Sequence, residues 1–275
     1  MPVERTQEEV LFLGIDIGST YGKAVAMSDR GAIVAKAIRP TGLGGERLAW
    51  ALRDDVVDQL GGDPSFAYTV ATGYGRVNVG FADKVLTEIS CHARGVHQVV
   101  PEARVLVDIG GQDSKVIVLG PRGDLEEFVM NDKCAAGTGR FLEVMAKALE
   151  VEVSGLGALS LLSETHVEIS STCTVFAESE IISLLAKGIR REDIIAGLHR
   201  AIANRVFGLL KGRMLKIGSG ALVVTGGVAQ NEGILRALEE KVGRKIVLPG
   251  DPQFTGAIGS AVIARDEKNR ARAVA

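Results

Sequence analysis

This 275-residue chain has few aromatic side chains and few cysteines, and neither positive nor negative charge predominates. Its 32 Lys and Arg residues are balanced by 34 Asp and Glu, which leaves a net charge of -2. Because binding to a phosphate backbone needs a basic face or stripe, this balance argues against nucleic acid as a partner. No window approaches the roughly 18–20 apolar residues of a spanning helix, and the first residues do not resemble a signal peptide. We therefore expect a cytoplasmic protein with no membrane partner.

Cysteine occurs only three times, at positions 91, 134 and 173. Three thiols in a chain expected to be cytoplasmic exclude a disulfide framework, because the odd number leaves one unpaired. Glycine is abundant, with 34 residues against a usual share of about 7%. Much of the backbone must therefore turn tightly or approach another group closely. The 46% of hydrophobic residues are enough to bury a substantial core.

An internal repeat organises the chain. Residues 16–23 and 108–115 share the pattern Asp-Ile-Gly, four further residues, then Lys. Each copy places an aspartate at the end of a hydrophobic strand, next to a glycine hairpin. The simplest architecture is two related α/β lobes whose glycine loops face each other over a cleft. Ligands are expected in such a cleft.

Hydrophobic periodicity predicts the elements of the two lobes. Strands are expected at 10–16, 23–27, 33–38, 68–72, 105–109, 115–119 and 221–225. Helices are expected at 46–60, 87–100, 140–150, 174–187, 192–217, 231–242 and 256–268. Since the last helix should pack back on the first lobe, we expect the first lobe to comprise 1–100 and 256–275, and the second 101–255.

The glycine hairpins favour phosphate binding, because glycine has no Cβ to keep backbone N–H groups away from phosphate oxygens. The expected loop contacts come from Gly18, Ser19, Thr20, Gly110 and Gly111. A Walker loop is disfavoured, since three residues stand between its possible first glycine and the Gly-Lys pair where four are required. Ordinary tight hairpins remain the alternative.

Charged and amide side chains near the hairpins suit nucleotide chemistry. Asp16 and Asp108 offer the carboxylate oxygens that Mg²⁺ prefers, and Lys23 can neutralise phosphate charge. Gln112 or Asp113 is the candidate for positioning the water that attacks the terminal phosphate. The predicted catalytic set is therefore Asp16, Asp108, Gln112 and Asp113, and Lys23 is expected to bind the nucleotide.

Two further glycine motifs extend the predicted nucleotide site. Gly226 and Gly227 stand where a strand passes into a helix, and they present bare backbone on which an adenine ring can lie, with Gln230 nearby. A close helix–strand crossing is the alternative. The segment from Gly137 and Gly139 to Arg140 opens a helix whose N-terminus can face an anion.

The cysteines leave three interpretations open. Cys91 falls in a helical stretch and is expected in the core, whereas Cys134 and Cys173 follow polar runs and precede helices, where thiolate charge is favoured. Two exposed ligands in each chain become four about a two-fold axis, as an iron–sulfur cluster needs. The alternatives are a zinc site formed by Cys91, His92, Cys134 and Cys173, or three inert thiols.

Six motifs together resemble the activators of 2-hydroxyacyl-CoA dehydratases. They are LGIDIGST (13–20), ATGYGR (71–76), DIGGQD (108–113), NDKCAAGTGRF (131–141), SSTCTVFAESE (170–180) and TGGVAQN (225–231). The resemblance leaves out about the first ten residues. It extends to the ATPase subunits of benzoyl-CoA reductases and to the reductases of double-cubane cluster proteins. The phosphate loops alone resemble the wider superfamily of acetate kinase, sugar kinases, Hsp70 and actin.

The resemblance implies an actin/Hsp70/sugar-kinase-like ATPase of two duplicated, ribonuclease-H-like lobes. It implies a homodimer with one 4Fe-4S cluster, held by Cys134 and Cys173 of each subunit, and one ATP or ADP with Mg²⁺ per subunit. The implied function is ATP-driven transfer of a low-potential electron to a dehydratase or a related iron–sulfur enzyme. A ferredoxin or flavodoxin is the implied donor, and an exposed cluster implies sensitivity to oxygen.

Two other functions are compatible with the phosphate loops. A small-molecule kinase of the same fold needs an inserted acceptor pocket, and no segment is clearly spare for one. A nucleotide-switched assembly protein, similar to actin, would form filaments and be colourless.

Overall fold

The computed structural model describes residues 10–42, 44–62, 64–170 and 173–274. The chain forms two compact units. The first unit runs to Pro101 and resumes at Phe254, and the second comprises Glu102–Gln253. Within the described ranges, no helix combines the length and the apolar character needed to cross a lipid bilayer.

The first unit is built around a five-stranded mixed sheet. Its elements up to Pro101 are β1 (Leu11–Ile17), β2 (Tyr21–Ser28), β3 (Ile33–Pro40), α1 (Gly45–Leu60), β4 (Phe66–Thr72), β5 (Lys84–Val85) and α2 (Glu88–Val99). The strand order is β3-β2-β1-β4-β5. Strands β1 to β3 are antiparallel neighbours, and β4 lies parallel to β1.

The second unit has a four-stranded sheet and most of the helices. Its elements are β6 (Ala103–Ile109), β7 (Ser114–Leu119), β8 (Leu125–Asn131), α3 (Gly139–Ala148), α4 (Leu156–Ser160), α5 (Thr174–Ala186), α6 (Arg191–Leu210), α7 (Met214–Ile217), β9 (Ala221–Thr225) and α8 (Glu232–Val242). The strand order is β8-β7-β6-β9, with β9 parallel to β6.

The last helix, α9 (Thr255–Val274), returns to the first unit. Its residues Ala257, Ile258 and Ala261 pack on Val25 and Met27 of β2. The other face of the sheet is covered by α1 through Leu48 and Leu52, among others. Because both faces are covered, every residue of the apolar strand β1 is buried.

The two sheets repeat one arrangement, in which three antiparallel strands are followed by a parallel strand beside the first. The register of the strands makes the repeat explicit. Asp16 lies opposite Lys23 across β1 and β2, and Asp108 lies opposite Lys115 across β6 and β7. The predicted duplication of an α/β lobe is therefore present in the backbone.

The structure differs from the predicted elements in several places, and β5, β8 and α4 were not predicted. The helix predicted at 192–217 ends at Leu210, and a 3₁₀ turn at Lys211–Arg213 separates it from α7; Gly212 inside this turn lowers helix propensity. The last helix continues beyond 268, to Val274. Strand β8 was not predicted because most of its side chains are exposed, so it lacks an alternating apolar pattern.

Candidate functional site

The first glycine hairpin joins β1 to β2 at Gly18, Ser19 and Thr20. The N–H of Gly18 donates to Tyr21 O at 3.2 Å, and Thr41 Oγ1 donates to Gly18 O at 2.7 Å. The loop is thus held from both sides while its three residues stay partly exposed. Such a held but accessible backbone is the geometry that phosphate binding needs.

Asp16 stands beside this hairpin, at the end of β1. It is 5% exposed, and its Oδ2 lies 3.5 Å from Lys23 Nζ. Lys23 Nζ is also within 3.4 Å of the position that a Cβ on Gly18 would take. The carboxylate and the ammonium group therefore both lie next to the predicted phosphate loop.

The equivalent hairpin of the second unit has a tighter ionic network. Lys115 Nζ lies 2.7 Å from Asp113 Oδ1 and 3.3 Å from Asp108 Oδ2, and all three side chains are buried. Asp108 Oδ1 accepts a hydrogen bond of 2.8 Å from Thr225 Oγ1. The second oxygen of Asp113 is buried without a hydrogen-bond partner. Gln112, by contrast, is exposed.

A Thr-Gly pair follows the parallel strand in each unit. Thr72 lies opposite Asp16, and Thr225 lies opposite Asp108. The glycines after them, Gly73 and Gly226, have φ values of +88° and +87°, which only glycine adopts without strain. In both units this turn brings the backbone close to the end of the aspartate strand.

Sequence analysis missed Lys115, Thr72 and Thr225 as site residues. The signal was available, because Lys115 occupies the repeat position of Lys23. Likewise, Thr-Gly follows a hydrophobic stretch at both 72–73 and 225–226. The predicted repeat thus extends from the hairpins to the fourth strand.

The predicted adenine-side segment begins at Gly226 and continues as a 3₁₀ turn, Gly227–Gln230. Gly227 and Gln230 are exposed, and a Cβ placed on Gly227 would meet nothing within 4 Å. Asn231 ends the turn and caps α8, where its Oδ1 accepts a hydrogen bond of 3.1 Å from Ile234 N. The bare surface at Gly227 is therefore carried on a well-fixed turn.

The loop that carries Cys134 is hydrogen-bonded to the second glycine hairpin. Gly139 N donates to Gly110 O at 2.9 Å, and Arg140 N donates to Gly111 O at 2.8 Å. Asn131 Nδ2 donates to Cys134 O at 2.9 Å, which holds the other end of the loop. Gly137, with a φ of +85°, turns the chain between them. The Arg140 side chain is exposed and pairs with Glu143.

The three cysteines are free thiols in different environments. Cys91 is fully buried in the first unit, and burial raises the pKa of its thiol, as expected of a core residue. Cys134 is partly buried and Cys173 is exposed, both in the second unit. Among the described residues, no group of three or more His, Cys, Asp or Glu side chains is arranged to hold a metal ion.

Cys173 is the N-cap residue of α5. The helix buries Ala177 and Ile181 but exposes three large apolar side chains: Val175, Phe176 and Ile182. Residues 171 and 172 of the second cysteine motif lie outside the described residues. The thiol is thus accessible at the end of a helix that presents apolar surface.

Residues 13–264 match the model of the BadF/BadG/BcrA/BcrD ATPase family. The chain belongs to this family. The match covers both glycine hairpins, both cysteine motifs and the segment at 225–231. The family resemblance expected from the six motifs is confirmed.

Several relatives match nearly the whole chain. The 2-hydroxyisocaproyl-CoA dehydratase activator of Clostridioides difficile is 48% identical over 93% of this chain and 95% of its own length. The (R)-2-hydroxyglutaryl-CoA dehydratase activating ATPase of Acidaminococcus fermentans is 48% identical over 92% and 96%. A solved structure of the Clostridium difficile activator with bound ADPNP has a TM-score of 0.88 at 45% identity, covering 97% of this chain and 98% of that one.

The fold also resembles that of a sugar kinase. A ROK family glucokinase from Streptomyces griseus matches with a TM-score of 0.58 at 15% identity, over 93% of this chain and 99% of the kinase. At this identity the likeness concerns the fold alone. The predicted actin/Hsp70/sugar-kinase-like fold is confirmed.

Proposed function

We propose that this protein is an ATP-hydrolysing activator that works as a homodimer and passes a low-potential electron to a 2-hydroxyacyl-CoA dehydratase or a related iron–sulfur enzyme. One 4Fe-4S cluster would be shared by the two subunits and held by Cys134 and Cys173 of each. The observation that carries the proposal is the direct hydrogen bonding of the Cys134 loop to the glycine hairpin at Gly110 and Gly111.

The nucleotide part of the proposal is supported by family membership and by the site's donor groups. Asp16 and Asp108 supply the carboxylates that hold Mg²⁺, directly or through water. The two hairpins contact the phosphates, with Lys23 countering their charge, and the adenine ring lies against Gly226, Gly227 and Gln230. The unpartnered Oδ2 of Asp113 fits a role in accepting a hydrogen bond from the attacking water. It makes Asp113 a better candidate than the exposed Gln112.

The cluster part rests on the number and position of the thiols. With Cys91 enclosed in the core, each chain offers two accessible thiols, whereas a 4Fe-4S cluster usually takes four. A second copy of the chain supplies the other two. The exposed apolar residues of α5 beside Cys173 suit burial between two subunits, and the helix N-terminus favours negative charge. When bound, the cluster supplies a one-electron donor whose potential depends on burial, hydrogen bonds and charge.

ATP acts in this proposal by moving the second hairpin. ATP must bind two conformations with different affinity, because otherwise it shifts no equilibrium. A displacement of Gly110 and Gly111 is passed through the N–H groups of Gly139 and Arg140 to the loop of Cys134. The apolar face around Cys173 is then rearranged, and hydrolysis returns the protein to its starting conformation.

The proposed partners follow from the relatives and from the exposed site. Relatives named for two different dehydratases support an acceptor of the 2-hydroxyacyl-CoA dehydratase type. A cytoplasmic ferredoxin or flavodoxin would supply the electron. A cluster bound by the exposed Cys173 would be accessible to oxygen, which supports the expected sensitivity.

Anaerobic purification tests the proposal in one preparation. We expect a brown dimer with about four irons that hydrolyses ATP in the presence of Mg²⁺. A colourless protein that phosphorylates a small molecule would instead indicate a kinase, and colourless filaments would indicate an assembly protein. Either result would overturn the electron-transfer function.

A further inference from the structure

His92 has no part in the function described so far, although it lies close to Asp16. It is a residue of α2 and is 7% exposed. Its Nδ1 lies 3.0 Å from Thr255 Oγ1, a hydroxyl in the first turn of α9. Thr255 is itself fully buried. The contact therefore joins the inner faces of two helices within the first unit.

The backbone around this contact is rigid because the helices touch through glycine. A Cβ on Gly95 of α2 would overlap Thr255 O, and a Cβ on Gly259 of α9 would overlap Cys91 O. On the sheet side, a Cβ on Gly14 of β1 would overlap Ala257 O. Packing this close leaves α2, α9 and β1 little freedom to slide. The position of His92 is thus determined by backbone contacts.

His92 and Asp16 converge on one point of α9. The position that a Cβ on Gly256 would occupy lies 2.9 Å from Asp16 Oδ2 and 3.2 Å from His92 Nε2. Gly256 is the residue after Thr255, so the first turn of α9 closely approaches both the histidine and the carboxylate. The other carboxylate oxygen, Oδ1, lies so close to Gly73 that a Cβ there would overlap it.

We infer that His92 is a positioning residue for Asp16. Its hydrogen bond to Thr255 holds the first turn of α9 against the Asp16 carboxylate, and this contact keeps the carboxylate in the orientation that binds Mg²⁺. The inference rests on the proposed role of Asp16 in organising Mg²⁺. No proton is transferred to or from His92, because the ring acts through its fixed hydrogen bond.

Two substitutions of His92 distinguish the role of Nδ1 from that of Nε2. The amide of His92→Asn can occupy the place of Nδ1 and reach Thr255, whose hydroxyl can donate or accept. The longer side chain of His92→Gln places its amide nearer to the position of Nε2. Thr255→Val removes the hydroxyl at nearly constant volume. His97→Ala is the matched control, because His97 lies on the same helix and its buried Nδ1 has no hydrogen-bond partner.

The test measures Mn²⁺ binding to the ADP-loaded dimer by electron paramagnetic resonance. We expect His92→Ala and Thr255→Val to weaken Mn²⁺ binding roughly five- to tenfold, the effect of one lost hydrogen bond. ADP binding without metal should be unchanged, and so should the melting temperature of His92→Asn. His92→Asn should recover most of the Mn²⁺ affinity, and His92→Gln should not.

Three results would overturn the inference: unchanged Mn²⁺ affinity in His92→Ala, equal recovery by Gln and Asn, or an equal loss in His97→Ala. Asp16→Asn distinguishes this failure from failure of the proposed function. If Asp16→Asn lowers Mn²⁺ affinity and His92→Ala does not, only the role of His92 is wrong. If Asp16→Asn also has no effect, the magnesium role of Asp16 is wrong.

Discussion

The backbone N–H of Gly139 donates a hydrogen bond of 2.9 Å to the carbonyl oxygen of Gly110. Gly139 is the first residue of α3 and follows the Cys134 loop, whereas Gly110 belongs to the second glycine hairpin. A second bond, from Arg140 N to Gly111 O, runs beside it at 2.8 Å. The two predicted sites are therefore in direct backbone contact within one unit.

Replacing Gly139 by proline tests this contact. Proline removes the N–H but suits the first position of a helix, and the preceding Thr138 is already extended, as a residue before proline must be. We expect Gly139→Pro to retain ATP hydrolysis and the cluster. ATP should speed up the removal of cluster iron by a chelator in both proteins. The factor by which it does so should be at least twofold smaller in Gly139→Pro, because only the bond from Arg140 remains.

Gly139→Ala is the matched control, because it adds a Cβ and keeps the donor. Its Cβ would lie 3.3 Å from Gly111 Cα, a tight approach that the Cβ of the proline variant also makes. The coupling role of the hydrogen bond is contradicted if the alanine and proline variants respond equally to ATP.

Removal of the thiol of Cys134 or of Cys173 should abolish cluster binding. We expect Cys134→Ala and Cys173→Ala to yield colourless protein with little iron, because two thiolates per dimer cannot hold a 4Fe-4S cluster. Cys91→Ala should stay brown, since this thiol is enclosed in the core. Iron content and the visible spectrum under nitrogen measure the result. A full cluster in either of the first two variants would refute the ligand assignment.

Asp16→Asn should keep the brown cluster and lose ATP hydrolysis. The carboxylate lies beside the first glycine hairpin in the first unit, whereas both cysteine motifs belong to the second. We therefore expect its loss to impair Mg²⁺ binding and not the cluster. Iron content and phosphate release, measured on one preparation, separate the two effects. Hydrolysis at the unchanged rate would remove Asp16 from the catalytic set.

Mutation can show whether Asp113 or Gln112 positions the attacking water. Asp113→Asn should lower the rate of ATP hydrolysis by about 100-fold or more, the usual effect of losing a group that positions or activates water. Gln112→Ala should have a smaller effect, because its side chain is exposed. Asp124→Asn, which changes an exposed aspartate of the same unit, is the control. A larger loss at Gln112 would reverse the assignment.

His199 should make the protein less stable in mild acid. Burial, followed by the charge of Arg200, lowers its pKa from 6.5 to about 3. Below pH 6.5 the unfolded chain therefore takes up a proton that the folded protein does not, and stability falls until about pH 3. His199→Gln keeps an acceptor for Asn231 and does not titrate. As the pH is lowered below 6.5, the free energy of unfolding of this variant should fall less steeply than that of the unchanged protein. The slopes should differ by up to about 1.4 kcal/mol per pH unit. Equal slopes would contradict the low pKa.

Much of the fold was predictable because local patterns carried it. Strand β1 is apolar apart from Asp16. Helix α1 has helical spacing that ends at Gly61, whose φ is +69°. Both were therefore predicted closely. Strand β8 was missed because an exposed edge strand has no apolar pattern. The break after Leu210 was missed because one glycine within a helical pattern is often tolerated.

Residues of the candidate site could be predicted where a single short motif contains the functional groups. The roles of Asp16, Cys134 and Cys173 stay predictions that the experiments above decide. The role of Asp108 also stays a prediction. Lys115 shows what local patterns leave out. Its repeat position was visible, but nothing in the sequence indicated that it lies between Asp108 and Asp113. That arrangement depends on the hairpin register.

The amino-acid sequence alone determined the duplication, the glycine hairpins and the positions of the cysteine motifs, because each is written in short motifs of neighbouring residues. Only the tertiary structure decided which distant groups meet. Thr225 reaches Asp108 across 117 positions and Thr255 reaches His92 across 163. Such contacts depend on how strands pair and how helices pack, and backbone propensity acts over too short a range to specify them.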